Sequence, residues 1–282
     1  MDAYPSRIEG TINADEVIIG RGVVVEPGVV ITGKHGAARQ VVLGDFCYIG
    51  RETRIITPAF RLGDYSKLHA NGFAHGEHPM QIGRNCWIGG NCVLDSMGGL
   101  DIDDNVGIGA HSQLWTHIQF GDIVEGSRFY SHKYMHVEKD VWFVGHCIVS
   151  PVAVGARSLA LVGSVITQDM QPNHVYGGVP ARDLTDKMGT QFEDRTVAQK
   201  AEKLQEMVDQ FERQHPEFAG AVQVAQSAGE RDPDRCWFDV STRTYRKVYH
   251  PAEVAFLKAN VPLVKFYPEG EPPFVSPQPP VE

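Results

Sequence analysis

Residues 82–114 read IGRNCWIGGNCVLDSMGGLDIDDNVGIGAHSQL. Ile82, Ile88 and Leu94 stand six residues apart, and Ile102, Ile108 and Leu114 resume the same step. Small residues precede them by two places at Cys86, Cys92, Val106 and Ser112, and Gly83, Gly89 and Gly109 follow directly. A period of six is neither the ~3.6 of a helix nor the alternation of a long strand; it describes a short strand plus a turn, repeated.

The repeat extends outward in both directions. Upstream stand Ile19, Val25 and Ile31, then Leu43, Ile49 and Ile55; downstream stand Val137, Phe143 and Val149, then Val154, Ala160 and Ile166. Strands this short bury nothing alone. Stacked coil on coil at about 4.8 Å, they form ladders around a narrow apolar column. The pattern therefore predicts an all-β chain, a parallel β-helix over about residues 15–185. A valine-rich β-sandwich is the competing fold, and the strict spacing disfavours it. Glycine or Asn/Asp after each strand is expected to permit the backbone conformations that a tight corner needs.

The breaks matter as much as the repeat. Lys34 to Gln40 reads as an inserted loop, and His69 to Pro79, lacking register, is expected to leave the coil. Ile118 to His136 is a longer excursion, and Val149 to Val154 is a five-residue step. Loops extruded from a rigid scaffold are where function concentrates.

Composition narrows the class. The chain has 282 residues and a formal charge of -9 with no basic stripe, which argues against nucleic acid as main partner. Met1 to Gly10 lacks a signal-peptide pattern and no apolar run suffices to cross a bilayer, so a soluble, cytoplasmic protein is expected. Cys47, Cys86, Cys92, Cys147 and Cys236 fit neither a disulfide framework nor a zinc site and read as buried, reduced thiols.

From Val137 to Leu184 the chain reads VEKDVWFVGHCIVSPVAVGARSLALVGSVITQDMQPNHVYGGVPARDL. This resembles the left-handed β-helix, hexapeptide-repeat acyltransferases, in particular the sugar, xenobiotic and maltose/galactoside O-acetyltransferase branch. The shared elements are a Val-Trp-Phe coil, two further coils, a Pro-Asn segment and a Gly-Val-Pro-Ala-Arg ending; Glu138 and Lys139 replace the usual Gly and Asp. The left hand comes from this resemblance, as does the expectation of a homotrimer that binds acetyl-CoA, or another acyl-CoA, between subunits.

The resemblance also assigns residues. His117, at the corner where the long excursion begins, matches the catalytic histidine; a neutral imidazole suits proton removal from a sugar hydroxyl attacking a thioester. Its bland alternative is a surface histidine in a turn. Asn91 matches an acceptor-contacting asparagine, or is an ordinary corner residue. Trp142 matches the tryptophan lining the pantetheine tunnel, or packs between subunits. Gly145, Ala160, Gly163 and Ser164 match strand ends whose backbone contacts the pantetheine arm. Arg182 matches the basic residue near the adenosine phosphates, or pairs with Asp183.

His69, His75 and His78, with His132 and His136, raise a zinc alternative, and the same fold includes γ-class carbonic anhydrases. That family has His-x-x-x-x-His where this chain has His117 and Asp122, so no metal is expected. A non-catalytic assembly protein is the third reading.

Beyond Leu184 the repeat ends. Val197, Ala201, Leu204, Val208 and Phe211 lie at helix spacing, with Asp194 as cap, ending near Pro216. Cys236 to Val248 alternates like a strand, Pro251 to Asn260 reads as a helix and Leu263 to Tyr267 as a strand. The expected organisation is 1–185 β-helix, 186–267 small α+β extension and 268–282 proline-rich tail, extended or disordered. Trp237, Tyr245 and Arg246 are candidates for acceptor recognition in the extension.

Overall fold

The computed structural model describes residues 3–277 and Pro279; Met1, Asp2 and tail residues 278 and 280–282 lie outside the described residues. Among the described residues, three sheets of ten, eight and six strands form the walls of a β-helix, parallel throughout except that Val175–Gly178 and Ala181–Asp183 at the end of the first pair antiparallel. Successive strands of the chain join successive walls. The first wall starts at Arg7–Ile8, the second at Thr11–Ile12 and the third at Ala14–Ile19.

Three inward ladders carry the core. Ile49, Leu68, Ile88, Ile108, Phe143 and Ala160 stack in register in the first wall. Ile55, Ala74, Leu94, Leu114, Val149 and Ile166 stack in the second. Leu62, Ile82, Ile102 and Val137 stack in the third. All are buried. Cys47, Cys86, Cys92 and Cys147 line the same column as free thiols, and Cys47 Sγ donates to the Gly63 carbonyl at 3.0 Å. Burial pushes the Cys47 thiol well above its ordinary pKa.

The stretch from His69 to Pro79 does not leave the coil: Phe73–His75 pairs with strands on both sides, and so does Met80–Ile82. Ala74 occupies the inward position where an aliphatic residue would have marked the period, and the step from Ala74 to Ile82 is eight, which hid the phase. At the corners, Asn85, Asn91, Asn105 and Asp140 take left-handed backbone as expected, as do Gly22, Gly28 and Gly163, and so also do Phe46, Tyr65, His111 and His146. Gly63 and Gly83 lie instead where coils touch. A Cβ on Gly63 would lie 2.5 Å from the Gly83 carbonyl carbon, and one on Gly83 would lie 2.5 Å from the Asp104 nitrogen.

The second-to-third corner takes the insertions of the coil. The 33–37 turn sits there, and the chain resumes at Ala38–Leu43, so the loop is shorter than Lys34 to Gln40. The long excursion is a hairpin, His117–Gln119 paired antiparallel with Tyr130–His132. Met135–Val137 has already rejoined the third wall, so His136 sits on a coil strand and not in the loop.

By contacts the chain divides into a first unit that ends at Phe192 and takes in the segment from Phe274, and a second unit, Glu193–Pro273. The sequence reading drew these lines at 185 and 267. Part of the tail is packed: Phe274 lies against the Arg61 and Arg84 guanidiniums, Val275 is buried, and Gln81 Nε2 donates to the Ser276 carbonyl at 3.1 Å.

In the second unit, helix α1 (Val197–Gln214) is capped by Thr196, not Asp194, through a reciprocal box with Gln199. Cys236 to Val248 is a hairpin of Cys236–Asp239 and Thr244–Tyr245 rather than one strand, because buried Asp239 accepts from Ser241 and closes the turn. Helix α2 (Pro251–Asn260) matches its expected span. Of Leu263 to Tyr267 only Tyr267 enters a strand, since Leu263 and Val264 still bond to the Asn260 carbonyl. Phe211, Phe238, Phe256 and Phe266 form the aromatic core of this unit.

Phe60 is fully buried in the third wall, between Val41 and Met80. Phe60→Ala is expected to lower unfolding free energy by about 3–5 kcal/mol, read as a lower urea midpoint with unchanged slope.

Candidate active site

The second wall ends in a row of outward residues stacked by register. Phe73–His75 and Val93–Asp95 pair so that His75 lies beside Asp95. One coil further, the chain leaves Gln113–Leu114 as Trp115-Thr116-His117 and begins the hairpin. Corner geometry thus gathers His75, Asp95 and His117 from three consecutive coils.

Asp95 is fully buried. Its Oδ2 accepts from the Thr116 backbone N–H at 2.7 Å and the Thr116 hydroxyl at 2.7 Å, and meets His117 Nδ1 at 2.8 Å. Its Oδ1 accepts from the Met97 N–H at 3.2 Å, and His75 Nε2 lies 3.8 Å from it. Thr116 is itself locked, since its oxygen accepts from the Gly98 N–H at 2.9 Å. Burial alone would raise the Asp95 carboxyl; the hydrogen bonds from His117 and Thr116 outweigh it and hold the group below the usual carboxylate range. An ionised Asp95 accepts from an Nδ1–H of His117 and so favours the tautomer whose Nε2 carries the lone pair.

The neighbours of His117 are aromatic. Its ring lies 5.8 Å from His132, its partner across the hairpin, and 6.1 Å from Trp115. His132 stacks on Tyr130, and its Nε2 meets Gln119 Oε1 at 2.8 Å. The His117 side chain keeps 22% of its surface exposed, enough to be reached.

The other expected residues lie elsewhere. Asn91 is an exposed corner residue with φ +58°, at the opposite end of the Val93–Asp95 strand from Asp95. Gly145 shares that first-to-second corner, where Gly163 N–H bonds to its carbonyl at 2.9 Å, and the Ser164 hydroxyl donates to Leu161 O at 2.6 Å. Trp142 stands on the outer face of the first wall, half exposed against Gly107. Ala160 points into the core, fully buried. Arg182 is exposed on the Ala181–Asp183 strand; Asp183 is taken by His174 and Thr185 instead. Within one chain the structure therefore brings His117 together with Asp95, His75 and His132. Asn91, Trp142, Gly145 and Gly163 sit on the first wall and its following corner.

Trp237 and Tyr245 do not offer a recognition surface: both are buried in the second unit, Trp237 beneath the Arg231 guanidinium. The Arg246 guanidinium donates to the Pro233 carbonyl. Among the described residues no three His, Cys, Asp or Glu side chains converge as a group able to hold a metal ion. His69 stacks on Trp87, and His136 Nε2 lies 3.0 Å from Asp103. Nor, among the described residues, is any helix long and apolar enough to cross a membrane.

Sequence reasoning missed Asp95, and it placed His75 in a loop off the coil, as a zinc or acceptor-pocket candidate, rather than beside His117. The signal was the coil register: Asp95 lies one coil before the Trp115–His117 corner and His75 one coil before that, legible only once the 69–79 stretch is placed in the coil.

No protein-family model matches the chain. Over 113 residues it is 30% identical to galactoside O-acetyltransferase of Escherichia coli strain K12. That match covers 39% of this chain and 55% of the relative, so the chain spans about half the length of the curated relative it matches. The solved structure of the polySia-specific acetyltransferase NeuO is similar with a TM-score of 0.50, over 70% of this chain and 91% of that one, at 19% identity. A hexapeptide-repeat acetyltransferase from Vibrio cholerae O1 biovar eltor, solved with acetyl coenzyme A, is 25% identical with a TM-score of 0.31, over 49% of this chain and 69% of that one. The fold is the left-handed parallel β-helix of hexapeptide repeats with a small α+β extension, as the motifs implied.

Asp95, with a depressed folded-state pKa, adds stability that is complete above its unfolded value of about 3.9 and is lost as pH falls through the lower folded value. At pH 7, Asp95→Asn is expected to cost about 1–3 kcal/mol, and the gap to wild type should narrow below pH 4. Urea unfolding at both pH values checks this; a constant gap would show that the carboxylate charge contributes nothing.

Proposed function

We propose that this chain, a member of the left-handed hexapeptide-repeat acyltransferase family, is a CoA-dependent acyltransferase, an acetyltransferase acting on a hydroxyl or amine of a saccharide or sugar nucleotide. The observation that carries the reading is the His117 ring at the root of the hairpin, held through Nδ1 by buried Asp95 and still exposed in part. The galactoside and polySia acceptors named for two relatives support a saccharide.

His117 Nε2 takes the proton of the acceptor O–H or N–H while that oxygen or nitrogen bonds to the thioester carbonyl carbon. The C–S bond then breaks, the sulfur leaves with its electron pair, and Nε2 returns the proton to it. Asp95 stays ionised throughout and stabilises the imidazolium between the two transfers. Holding both substrates in one cleft supplies much of the acceleration.

In this reading Trp142, with the backbone at Gly145, Ala160, Gly163 and Ser164, holds the pantetheine arm, and Arg182 meets the adenosine phosphates. Asn91 contacts the acceptor. These residues occupy a different wall and corner from His117, and this supports a homotrimer in which one subunit's first-to-second corner faces the His117 corner of the next. Five free thiols fit a reducing cytoplasm, where acetyl-CoA is available.

His117→Ala is expected to lower kcat by about 10²–10⁴ in a thiol-release assay with acetyl-CoA and a saccharide panel, with acetyl-CoA binding retained by titration. Full activity in that variant would remove His117 from the mechanism. Light scattering is expected to return about three times the 31.2 kDa chain mass; a monomer would separate the donor residues from His117 and sink the shared site.

A further inference from the structure

Of the three imidazoles at this centre, His75 is the one that no hydrogen bond holds among the described residues, whereas His117 is held by Asp95 and His132 by Gln119. The nearest polar contact is Asp95 Oδ1 at 3.8 Å from Nε2, beyond hydrogen-bond reach. The ring is nevertheless fixed. It stacks on Phe73 with centroids 4.7 Å apart and 19° between planes, and it ends a strand paired on both sides. It meets the His117 ring edge-on at 6.5 Å, with a quarter of its side chain exposed.

An imidazole that is rigid, reachable and without a partner beside the base has an unspent donor and acceptor. The buried Asp95 charge favours the tautomer with its proton on Nε2, which leaves Nδ1 to accept. Burial, together with the charges of His117 and Lys34, keeps the ring below its ordinary pKa against the pull of Asp95, so it is neutral at pH 7. Two imidazoles 6.5 Å apart between centroids can address two adjacent polar groups of one acceptor, since vicinal oxygens of a sugar lie roughly one hydrogen-bond length apart.

We propose that His75 is a specificity-determining residue that binds the hydroxyl or amine next to the one acylated, and so fixes which position of the acceptor reaches His117. The proposal rests on His117 as the base. Through one neutral hydrogen bond His75 selects acceptors bearing a vicinal pair, and the aromatic stack on Phe73 keeps it in place without substrate. His132, whose Nε2 is already occupied, does not share this task.

The test uses the full chain, acetyl-CoA and a panel of methyl hexopyranosides, with the acylated position located by NMR. Wild-type kcat/KM is then compared between the best acceptor and its derivative deoxygenated at the neighbouring carbon. The expected loss is about threefold to a hundredfold. In His75→Phe, which keeps the stack and removes the polar atoms, the ratio should fall to about one, while the KM for acetyl-CoA stays as in wild type. His75→Gln, which can still donate and accept, should restore part of the discrimination. Undiminished discrimination in His75→Phe overturns the proposal while leaving the acyltransferase reading intact. No thiol release by folded wild type with any acceptor overturns both.

Discussion

A parallel β-helix stacks only if each coil returns its three strands to the register of the coil before, because every backbone group in a wall pairs with the neighbouring coil. A residue added inside a wall would turn each following side chain to the wrong face. Insertions are therefore confined to corners. In this chain they gather at one of them: the step from Leu94 to Ile102 is eight residues, and between Leu114 and Val137 the chain makes a whole hairpin, yet Ile102 and Val137 still pair. The same constraint that keeps the walls uniform makes this corner the place where side chains can differ from coil to coil. His75, Asp95 and His117 differ there.

Burying Asp95 runs against the apolar logic of the scaffold. An ionised carboxylate removed from water is tolerated only when its acceptor capacity is filled. Here the Thr116 backbone and hydroxyl, the Met97 N–H and the His117 ring fill it. The arrangement fixes His117 through a group that is itself fixed by two coils of backbone. An imidazole at the root of a hairpin would otherwise inherit the hairpin's freedom. Its tautomer and direction are set by the rigid part of the molecule, and the hairpin is left to supply the surrounding rings of Tyr130 and His132.

The legibility of the sequence follows the same division. The walls were legible because their period is written in aliphatic residues at Ile82, Ile88, Ile102 and Ile108, which the narrow interior demands. It failed at Ala74, where the core accepts a methyl group and the period has no marker. That single gap removed His75 from the coil and so concealed its place beside Asp95. His117 was singled out through the family resemblance and the visible break where the hairpin leaves; its contact with Asp95 was not legible, since a contact between residues 95 and 117 needs the coil length to be known first. In the second unit, Trp237 and Tyr245 suggested a surface because their alternation was read without a partner layer. Tyr245 stacks on Phe238 of the aromatic cluster, and Trp237 is covered on the other face by the Arg231 guanidinium.

The separation of the two residue groups within one chain has a physical reason. A coil has three corners, and any wall between two of them is a ladder of paired strands with no room for a ligand to pass through. Residues on the first wall and its corner, such as Trp142 and Gly163, cannot converge with His117 around the same prism by any loop movement, because Ile148–Val149 and Gln113–Leu114 lie between them in the second wall. In the proposed homotrimer a second prism laid alongside brings the two corners face to face. In the proposed reaction the donor and the base then meet at a surface between copies, and the β-helix serves as a rigid ruler that sets their height along the axis. Such a cleft needs no closing motion to assemble; its geometry is as stiff as the walls that form it.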